Sequence, residues 1–276
     1  MKQILYIAVV IVLAAFAGLL VVPFACNGSG TNGNEGPPPE GPKFLTYSIG
    51  PVYPHDTSFF TEGLLIYKGD LYESAGDPDY TGKSRLMKVE LKTGKVLESI
   101  NLDKKYFGEG IAILNDTIYQ LTYREKTGFM YSLKGFTKLK EFTFGAAEGW
   151  GMTTNGKEII ASDGSSNLYY YEPGTFRLLR TQAVTEAGSL AYNLNELEYI
   201  DGYLYANQWQ RPYILKIDPA SGTIIAKVDL TDLWNRVKAK DQSVDVPNGI
   251  AYDSASKKIY VTGKRWPELY EIEFSK

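Results

Sequence analysis

A short motif of polar residues and glycine recurs five times along this chain of 276 residues, at intervals of about 40 to 53 residues. Each copy opens an alternating apolar segment, and a turn then leads to a second alternating segment, which is the pattern of two antiparallel strands. Spacing of this length is typical of the blades of a β-propeller. The copies are Glu62-Gly63, Glu109-Gly110, Glu148-Gly149, Asn195-Glu196 and Asn248-Gly249. The repeat therefore predicts an all-β fold, a five-bladed β-propeller.

The chain between these motifs supplies the further strands that blades need. The segments 86–89, 168–171 and 213–217 are rich in apolar and aromatic residues and predict additional strands. Residues 231–240 predict the one helical insertion, because Leu233, Trp234 and Val237 could share one face.

The N-terminal residues predict an export signal instead of a part of the fold. One lysine precedes an almost wholly apolar run from Ile4 to Ala25, and Cys26, the only cysteine, follows it. The segment 1–25 resembles a bacterial lipoprotein signal, cleaved before Cys26, whose thiol then carries lipid. An uncleaved membrane anchor is the alternative, because the run is long enough to span a bilayer. Either interpretation predicts an exported protein tethered to a membrane, on its periplasmic or cell-surface side.

Residues 26–42 are rich in glycine, asparagine and proline and predict a flexible spacer, and residues 43–276 predict one globular catalytic domain. The slightly acidic net charge of −3 and the absence of a Lys/Arg cluster indicate no nucleic-acid partner. We expect a monomer.

The repeated motifs also predict the position of the functional site. The first strand of each propeller blade lines the central axis, so the motif residues should meet at one opening of the channel. Carboxylates crowded there repel one another unless a cation is bound, which indicates an ammonium group or a metal as ligand. The alternative is a set of polar residues that only hydrates the opening. The motif residues are Glu62, Glu109, Glu148, Asn195, Glu196 and Asn248. The aromatic residues that flank them are Phe60, Tyr123, Trp150 and Trp209, and Lys264 is the single nearby cation.

These motifs resemble those of the plant and bacterial glutaminyl-peptide cyclotransferases, in order, from about Tyr47 to the C-terminus. The matching segments are 53–56, 60–64, 107–110, 119–123, 148–152, 194–198, 206–209, 217–219, 248–251 and 261–267. The resemblance implies a five-bladed propeller that converts an N-terminal glutamine of peptides or proteins into pyroglutamate and releases ammonia.

Carried over position by position, the resemblance makes Glu109 the general acid and base. It makes pocket residues of Phe60, Glu62, Trp150, Asn195, Trp209 and Lys264. Two positions depart from the commonest pattern, since many members carry Gln in place of Glu62 and Trp in place of Tyr123. Tyr123 still predicts an aromatic wall of the pocket.

The chain has one histidine and its one cysteine is assigned to the anchor, so a catalytic zinc site is not expected. No cofactor is expected, although acidic and amide oxygens near the axis could hold a structural calcium ion in the central channel. Two other functions remain open at this stage. One is a non-catalytic surface propeller that binds peptide or sugar, and the other is a lactonase-type propeller with an axial calcium ion.

Overall fold

The structure of this protein is a computed structural model that describes residues 40–275. The predicted signal, Cys26 and residues 26–39 of the predicted spacer lie outside the described residues. Within residues 40–275, the helix is too short and too polar to cross a membrane.

The described chain is built almost entirely of strands, with one helix. In chain order the elements are β1 Lys43–Leu45, β2 Tyr47–Pro54, β3 Phe60–Tyr67, β4 Asp70–Gly76, β5 Arg85–Glu90, β6 Lys95–Asn101, β7 Gly108–Leu114, β8 Thr117–Thr122, β9 Thr127–Ser132, β10 Lys138–Thr143, β11 Met152–Thr154, β12 Ile159–Ser162, β13 Asn167–Tyr171, β14 Leu178–Ala183, β15 Thr185–Glu186, β16 Ser189–Leu190, β17 Leu194–Ile200, β18 Tyr203–Gln208, β19 Tyr213–Ile217, β20 Ile224–Asp229, α1 Thr231–Lys240, β21 Pro247–Asp253, β22 Lys258–Gly263 and β23 Glu268–Phe274.

Five antiparallel sheets form the blades of a propeller, which confirms the predicted fold. The first three are β3–β6, β7–β10 and β11–β14, the fourth is β17–β20, and the fifth is β21–β23 with β2 outermost. The strands β3, β7, β11, β17 and β21 are innermost. The predicted strands at 86–89, 168–171 and 213–217 are confirmed as parts of β5, β13 and β19.

Apolar side chains between neighbouring blades form the core. Leu65 and Ile111 of two adjacent inner strands pack in one cluster with Ile118 of β8. A fully buried side chain of this size contributes about 1.5–3 kcal/mol relative to an exposed one. The blades are therefore held together by a series of inter-blade interfaces instead of one central core.

The N-terminal strand closes the ring. β2 pairs antiparallel with β23, so residues from the two ends of the described chain complete the fifth blade, and β1 adds a parallel fifth strand beside β20. His55 follows β2 and fastens it, because its backbone N–H donates to the Pro267 carbonyl at 3.0 Å. Its ring nitrogens lie 2.6 Å from the Trp266 carbonyl oxygen and 3.1 Å from the Glu73 carboxylate.

A β-bulge lies at the head of four of the inner strands. Pairing shifts between Thr61 and Gly63, between Gly108 and Ile111, and at the equivalent points of β17 and β21. A bulge changes the direction in which side chains point, and it occurs often beside active sites. The motif residues Glu62, Glu109, Asn195 and Asn248 all fall within these bulges.

Two buried carboxyl groups brace the inner strands across the axis. Glu196 of β17 accepts hydrogen bonds from the backbone N–H groups of Leu64 and Ile250, at 3.2 and 2.8 Å. Glu198 accepts from Tyr252 N–H at 2.8 Å, and burial raises its pKa to about 8. The prediction that Glu196 lies at the opening of the channel is wrong: its oxygens are directed at main-chain donors of two other blades.

Helix α1 coincides with the predicted insertion 231–240. Leu233 and Val237 are buried against the fifth blade, and Trp234 is partly buried beside them. The Trp234 indole donates to the Asp245 carbonyl at 3.0 Å. The helix thus supports the segment that precedes β21, which forms part of the site described next.

Candidate active site

A cavity of about 860 Å³, here called the axial cavity, opens where the inner strands begin. Its walls come from the heads of the inner strands and from the segments that follow the second strand of each blade. The eight residues that the family resemblance singled out all line it: Phe60, Glu62, Glu109, Tyr123, Trp150, Asn195, Trp209 and Lys264.

Glu109 lies in the bulge of β7 and is only 5% exposed. The glycine after it permits a close approach of the next blade, since the Gly110 N–H donates to the Trp150 carbonyl at 2.8 Å. A Cβ at Gly110 would lie 2.5 Å from that same oxygen. Glycine is therefore required here, because the backbone of the next blade occupies the space that a side chain would need.

Glu62 is the second buried carboxyl group of the axial cavity, and it is paired with a cation. Lys264 Nζ lies 2.6 Å from Glu62 Oε1, and both side chains are more than nine-tenths buried. Asn248 donates from Nδ2 to the Thr61 carbonyl at 2.8 Å and to Glu62 Oε2 at 3.3 Å. Two residues of the fifth blade thus fix the Glu62 carboxylate of the first blade.

The environments of the Glu62 and Glu109 carboxyl groups differ, because the Lys264 ammonium is the one cation of the described chain near both and it is bonded to Glu62. Burial raises the pKa of Glu109 well above its ordinary value, the negative charge of Glu62 adds to the rise, and the Lys264 ammonium opposes it. Burial also raises the pKa of Glu62, but there the Lys264 ion pair is the main opposing influence. Burial and the Glu62 charge therefore favour the protonated form of Glu109, whereas the Lys264 ion pair favours the ionised form of Glu62.

Backbone pairing and an aromatic ring hold Lys264 in place. Its N–H donates to the Val246 carbonyl, and its carbonyl accepts from the Asp245 N–H, both at 3.0 Å. Its ammonium lies 4.5 Å from the centre of the Phe60 ring. A cation so close to an aromatic face is stabilised by it.

Aromatic side chains form one wall of the axial cavity. The ring centres of Phe60 and Phe107 are 6.1 Å apart, and those of Phe107 and Tyr123 are 5.9 Å apart. Arg124 covers the outer face of Tyr123, with its Cζ 4.5 Å from the ring centre.

The opposite wall contains the two tryptophans. Trp150 and Trp209 meet edge to face with ring centres 5.4 Å apart. The Trp150 indole donates to Glu148 at 2.9 Å, and Glu148 also accepts from Arg124 at 2.9 Å. Glu148 thus orients Trp150, and its charge is balanced by a guanidinium.

Asn195 presents an unsatisfied polar group to the axial cavity. Its side chain is 3% exposed, and its Oδ1 has no hydrogen-bond partner among the described residues. Its own carbonyl accepts from the Ser162 hydroxyl at 2.8 Å, which fixes the backbone from the neighbouring blade. A buried amide without a partner is costly, so this group is suited to a polar ligand.

The structure corrects the predicted ring of polar residues in part. Glu148 lines the cavity, but it precedes β11 instead of lying at its head. Asn248 is fully buried, bonded to Glu62, and does not line the cavity, and Glu196 is also fully buried and does not line it.

Some lining residues carry no repeated pattern in the sequence. Asp163 and Asp245 reach the axial cavity from loops, and only the fold brings them there. Phe107 also lines it, and its position directly before the Gly108-Glu109-Gly110 segment is a signal that could have identified it.

The arrangement is suited to the binding of an amine and to proton transfer. Several carboxyl groups attract a cationic nitrogen into an aromatic enclosure, and one of them, Glu109, carries a raised pKa that suits a general acid. Lys264 and Asn195 are placed to donate hydrogen bonds to an oxygen that develops negative charge.

Three comparisons relate this chain to known proteins. The sequence model of the glutamine cyclotransferase family matches residues 20–274. The chain is 40% identical over 223 residues to a glutaminyl-peptide cyclotransferase of Arabidopsis thaliana, covering 80% of this chain and 69% of the relative. The crystal structure of Myxococcus xanthus glutaminyl cyclase superposes with a TM-score of 0.78 at 32% identity, covering 85% of this chain and 98% of the other.

The buried Glu62–Lys264 pair generates a prediction about stability. Lys264→Gln leaves Glu62 buried without its cation, so the free energy of unfolding should fall by about 3–5 kcal/mol at pH 8. The loss should be smaller at pH 5, because Glu62 can then take up a proton. The measurement is urea denaturation at both pH values. The double variant Glu62→Gln/Lys264→Gln should recover part of the loss, and a double variant as unstable as Lys264→Gln would contradict the pairing.

Proposed function

Because this chain belongs to the glutamine cyclotransferase family and is a glutaminyl-peptide cyclotransferase, we propose that Glu109 is its general acid and base. The reaction is the cyclisation of an N-terminal glutamine to pyroglutamate with release of ammonia. The α-amine attacks the side-chain amide carbon, one C–N bond forms, and the bond to the leaving nitrogen breaks. The non-catalytic binding propeller is not favoured, since the family, the relative and the structural neighbour are all cyclotransferases.

One observation carries the proposal: a buried carboxyl group with a strongly raised pKa lies beside a second carboxylate that already holds the local cation. Such a group keeps its proton to a higher pH than an ordinary glutamate does. It can therefore begin the reaction as an acid, and it becomes a base once it has given the proton away.

Glu109 alone can carry out both proton transfers of the reaction. The neutral α-amine attacks, and a tetrahedral centre forms with negative charge on oxygen and positive charge on the attacking nitrogen. Glu109 then donates its proton to the leaving nitrogen, and ammonia departs as the carbonyl re-forms. The Glu109 carboxylate finally takes the proton from the new ring nitrogen, so the enzyme returns to its starting state.

The other residues of the axial cavity hold the substrate and its developing charge. Lys264 or Asn195 stabilises the oxyanion. Lys264 is bonded to Glu62, and Asn195 could donate to the oxyanion only from its Nδ2, while its Oδ1, unpartnered within the described chain, is suited to accept from the substrate's amine. The aromatic walls of Phe60, Tyr123, Trp150 and Trp209 fold the glutamine side chain back on its own amine. This proximity removes the need for a covalent nucleophile.

We further propose that catalysis does not use zinc. Catalytic zinc in proteins is held mainly by histidine, cysteine and carboxylate ligands. The one histidine, His55, is buried, and its two ring nitrogens contact Trp266 and Glu73. Among residues 40–275 no group of three His, Cys, Asp or Glu side chains is placed to share a metal.

Two of the channel carboxyl groups, Glu196 and Glu198, do not fit a structural calcium ion, so such an ion would need the other acidic and amide oxygens near the axis. Calcium takes six to eight oxygen ligands, mostly carboxylates and carbonyls. Both oxygens of Glu196 and both of Glu198 accept hydrogen bonds from N–H or O–H donors.

We also propose that the protein is exported and held at a membrane by lipid on Cys26, that residues 26–42 separate the domain from that surface, and that it acts as a monomer. The sequence of the N-terminal segment supports this placement.

Glu109→Gln keeps the shape of the side chain but removes the transferable proton. We expect kcat to fall by about 10²- to 10⁴-fold, with a much smaller change in KM, because the walls of the cavity still bind substrate. Stability should not fall, since the pKa of Glu109 is raised and its ionisation destabilises the fold as pH rises. Ammonia release from a Gln-initiated peptide is the measurement.

Glu62→Gln is the matched control, because it makes the same chemical change on the neighbouring carboxyl group. It introduces the residue that many members of the family carry and can still accept from Lys264, so most activity should remain. A near-normal rate for Glu109→Gln, or an inactive Glu62→Gln variant, would show that the proposal assigns the proton transfer to the wrong residue.

Chelation separates a metal-free reaction from a zinc-dependent one. We expect 1,10-phenanthroline and EDTA to leave the cyclisation of Gln-peptides unchanged, because Glu109 supplies the proton transfers. Loss of activity that added zinc restores would overturn this part of the proposal.

Removal of residues 1–42 tests the proposed anchor and the domain boundary together. The shortened chain should leave the membrane fraction, keep a β-rich circular dichroism spectrum and cyclise Gln-peptides. Palmitate labelling that Cys26→Ala abolishes would identify the lipid anchor. A membrane-bound full-length protein without label would instead indicate an uncleaved transmembrane segment.

A further inference from the structure

A second cavity, here called the lateral cavity, lies directly beside the axial cavity. Cationic side chains outnumber carboxylates in its lining, whereas carboxylates outnumber cations in the lining of the axial cavity. The volume of the lateral cavity is about 560 Å³, and Phe60 and Pro78 line both cavities. Its cationic lining residues are Lys83, Arg85 and Arg265. None of the three belongs to the proton-transfer machinery.

Two consecutive phenylalanines place the two guanidinium groups. Arg85 Cζ lies 4.6 Å from the ring centre of Phe59, which is buried, and its NH2 group is 3.4 Å from the Ser58 hydroxyl. Arg265 Cζ lies 5.8 Å from the ring centre of Phe60. Within the described chain these contacts are with rings and a hydroxyl, so the charge of each guanidinium remains available to a ligand.

The backbone at Arg265 is fixed in an uncommon conformation. Its φ is 60°, a left-handed value that non-glycine residues seldom adopt. Its N–H donates to the Phe59 carbonyl at 2.8 Å, and Trp266 N–H closes the turn onto Gly263 at 3.1 Å. The turn therefore carries Lys264 on the axial side and Arg265 on the lateral side of one phenylalanine ring.

The carboxylates of the lateral cavity do not neutralise this group of cations. Asp77 Oδ2 accepts hydrogen bonds from Thr81 N–H at 2.6 Å, from the Thr81 hydroxyl at 2.9 Å and from Lys83 N–H at 2.9 Å. The Asp77 carboxylate is thus bonded within its own loop, residues 77–83. Asp79 is exposed at the rim.

The two cavities together match a peptide whose N-terminus is cationic and whose next residues are acidic. Resting on the proposed function, we propose that the lateral cavity binds the carboxylate of the second or third residue of the substrate. An extended chain advances about 3.3–3.6 Å per residue, so one or two residues carry it past the Phe60 ring that the cavities share. Arginine is well suited to a carboxylate because its donors can bind both oxygens.

The test is a comparison of kcat/KM for Gln-Glu-Ala, Gln-Ala-Glu, Gln-Ala-Ala and Gln-Lys-Ala, each amidated at its C-terminus. The wild-type protein should favour one of the acidic peptides over Gln-Ala-Ala by roughly fivefold, a factor expected for a partly exposed ion pair. The preference should weaken as salt is raised. A ratio of rates measured on one preparation is independent of the fraction of active protein.

Arg85→Gln/Arg265→Gln should reduce the preference to about one, and Arg85→Glu/Arg265→Glu should shift it toward Gln-Lys-Ala. Arg177→Gln is the matched control, since it removes one guanidinium that pairs with Glu172 on the third blade, away from both cavities. It should leave the preference unchanged.

Equal turnover of all four peptides by the wild type, or a preference that survives the double substitution, would overturn the lateral cavity as a subsite while leaving the proposed function intact. Failure of every peptide, Gln-Ala-Ala included, would instead overturn the proposed function. The two failures are therefore distinguishable.

Discussion

The site depends on how closely the inner strands approach one another at their heads. Glycine in the repeated motifs makes that approach possible, and at Gly110 a side chain would collide with the neighbouring blade. The bulges at the same points turn Glu62, Glu109 and Asn195 toward the opening of the channel. Carboxyl and amide groups from different blades are thereby brought together around one cavity.

An imbalance of charge follows from this crowding. Two buried carboxyl groups, Glu62 and Glu109, face a single ammonium group, and Lys264 is bonded to Glu62. Glu109 is left to keep a proton, since burial and its neighbour both raise its pKa. The position of Glu109 in the propeller thus gives an ordinary glutamate the raised pKa that a general acid needs. The same fold uses other buried carboxyl groups, Glu196 and Glu198, as acceptors for main-chain N–H groups, so burial alone does not make a catalytic residue.

Much of this could be predicted from the sequence because the repeat is strong. Five repeated motifs, each followed by alternating segments, predict five blades, and the structure has five; the predicted insertion at 231–240 is a helix. The eight predicted site residues line one cavity, because equivalent positions of a propeller converge at the axis. The pairing of β2 with β23 could not be read from local pattern, since it joins segments more than 200 residues apart. Glu196 was misplaced because it directly follows Asn195, and sequence alone does not show how a bulge directs two consecutive side chains. The lateral cavity was also missed, since Arg85 and Arg265 come from distant segments that only the fold brings together.

The protonation state of Glu109 is the quantity on which the proposed mechanism rests most directly. It can be measured by infrared difference spectroscopy of the wild-type protein against Glu109→Gln, recorded across a pH titration. The mechanism predicts a protonated carboxyl band from Glu109 at pH 7 that disappears only at higher pH, well above the ordinary glutamate value. A carboxylate already ionised at pH 5 would contradict it, because Glu109 could not then begin the reaction as the acid.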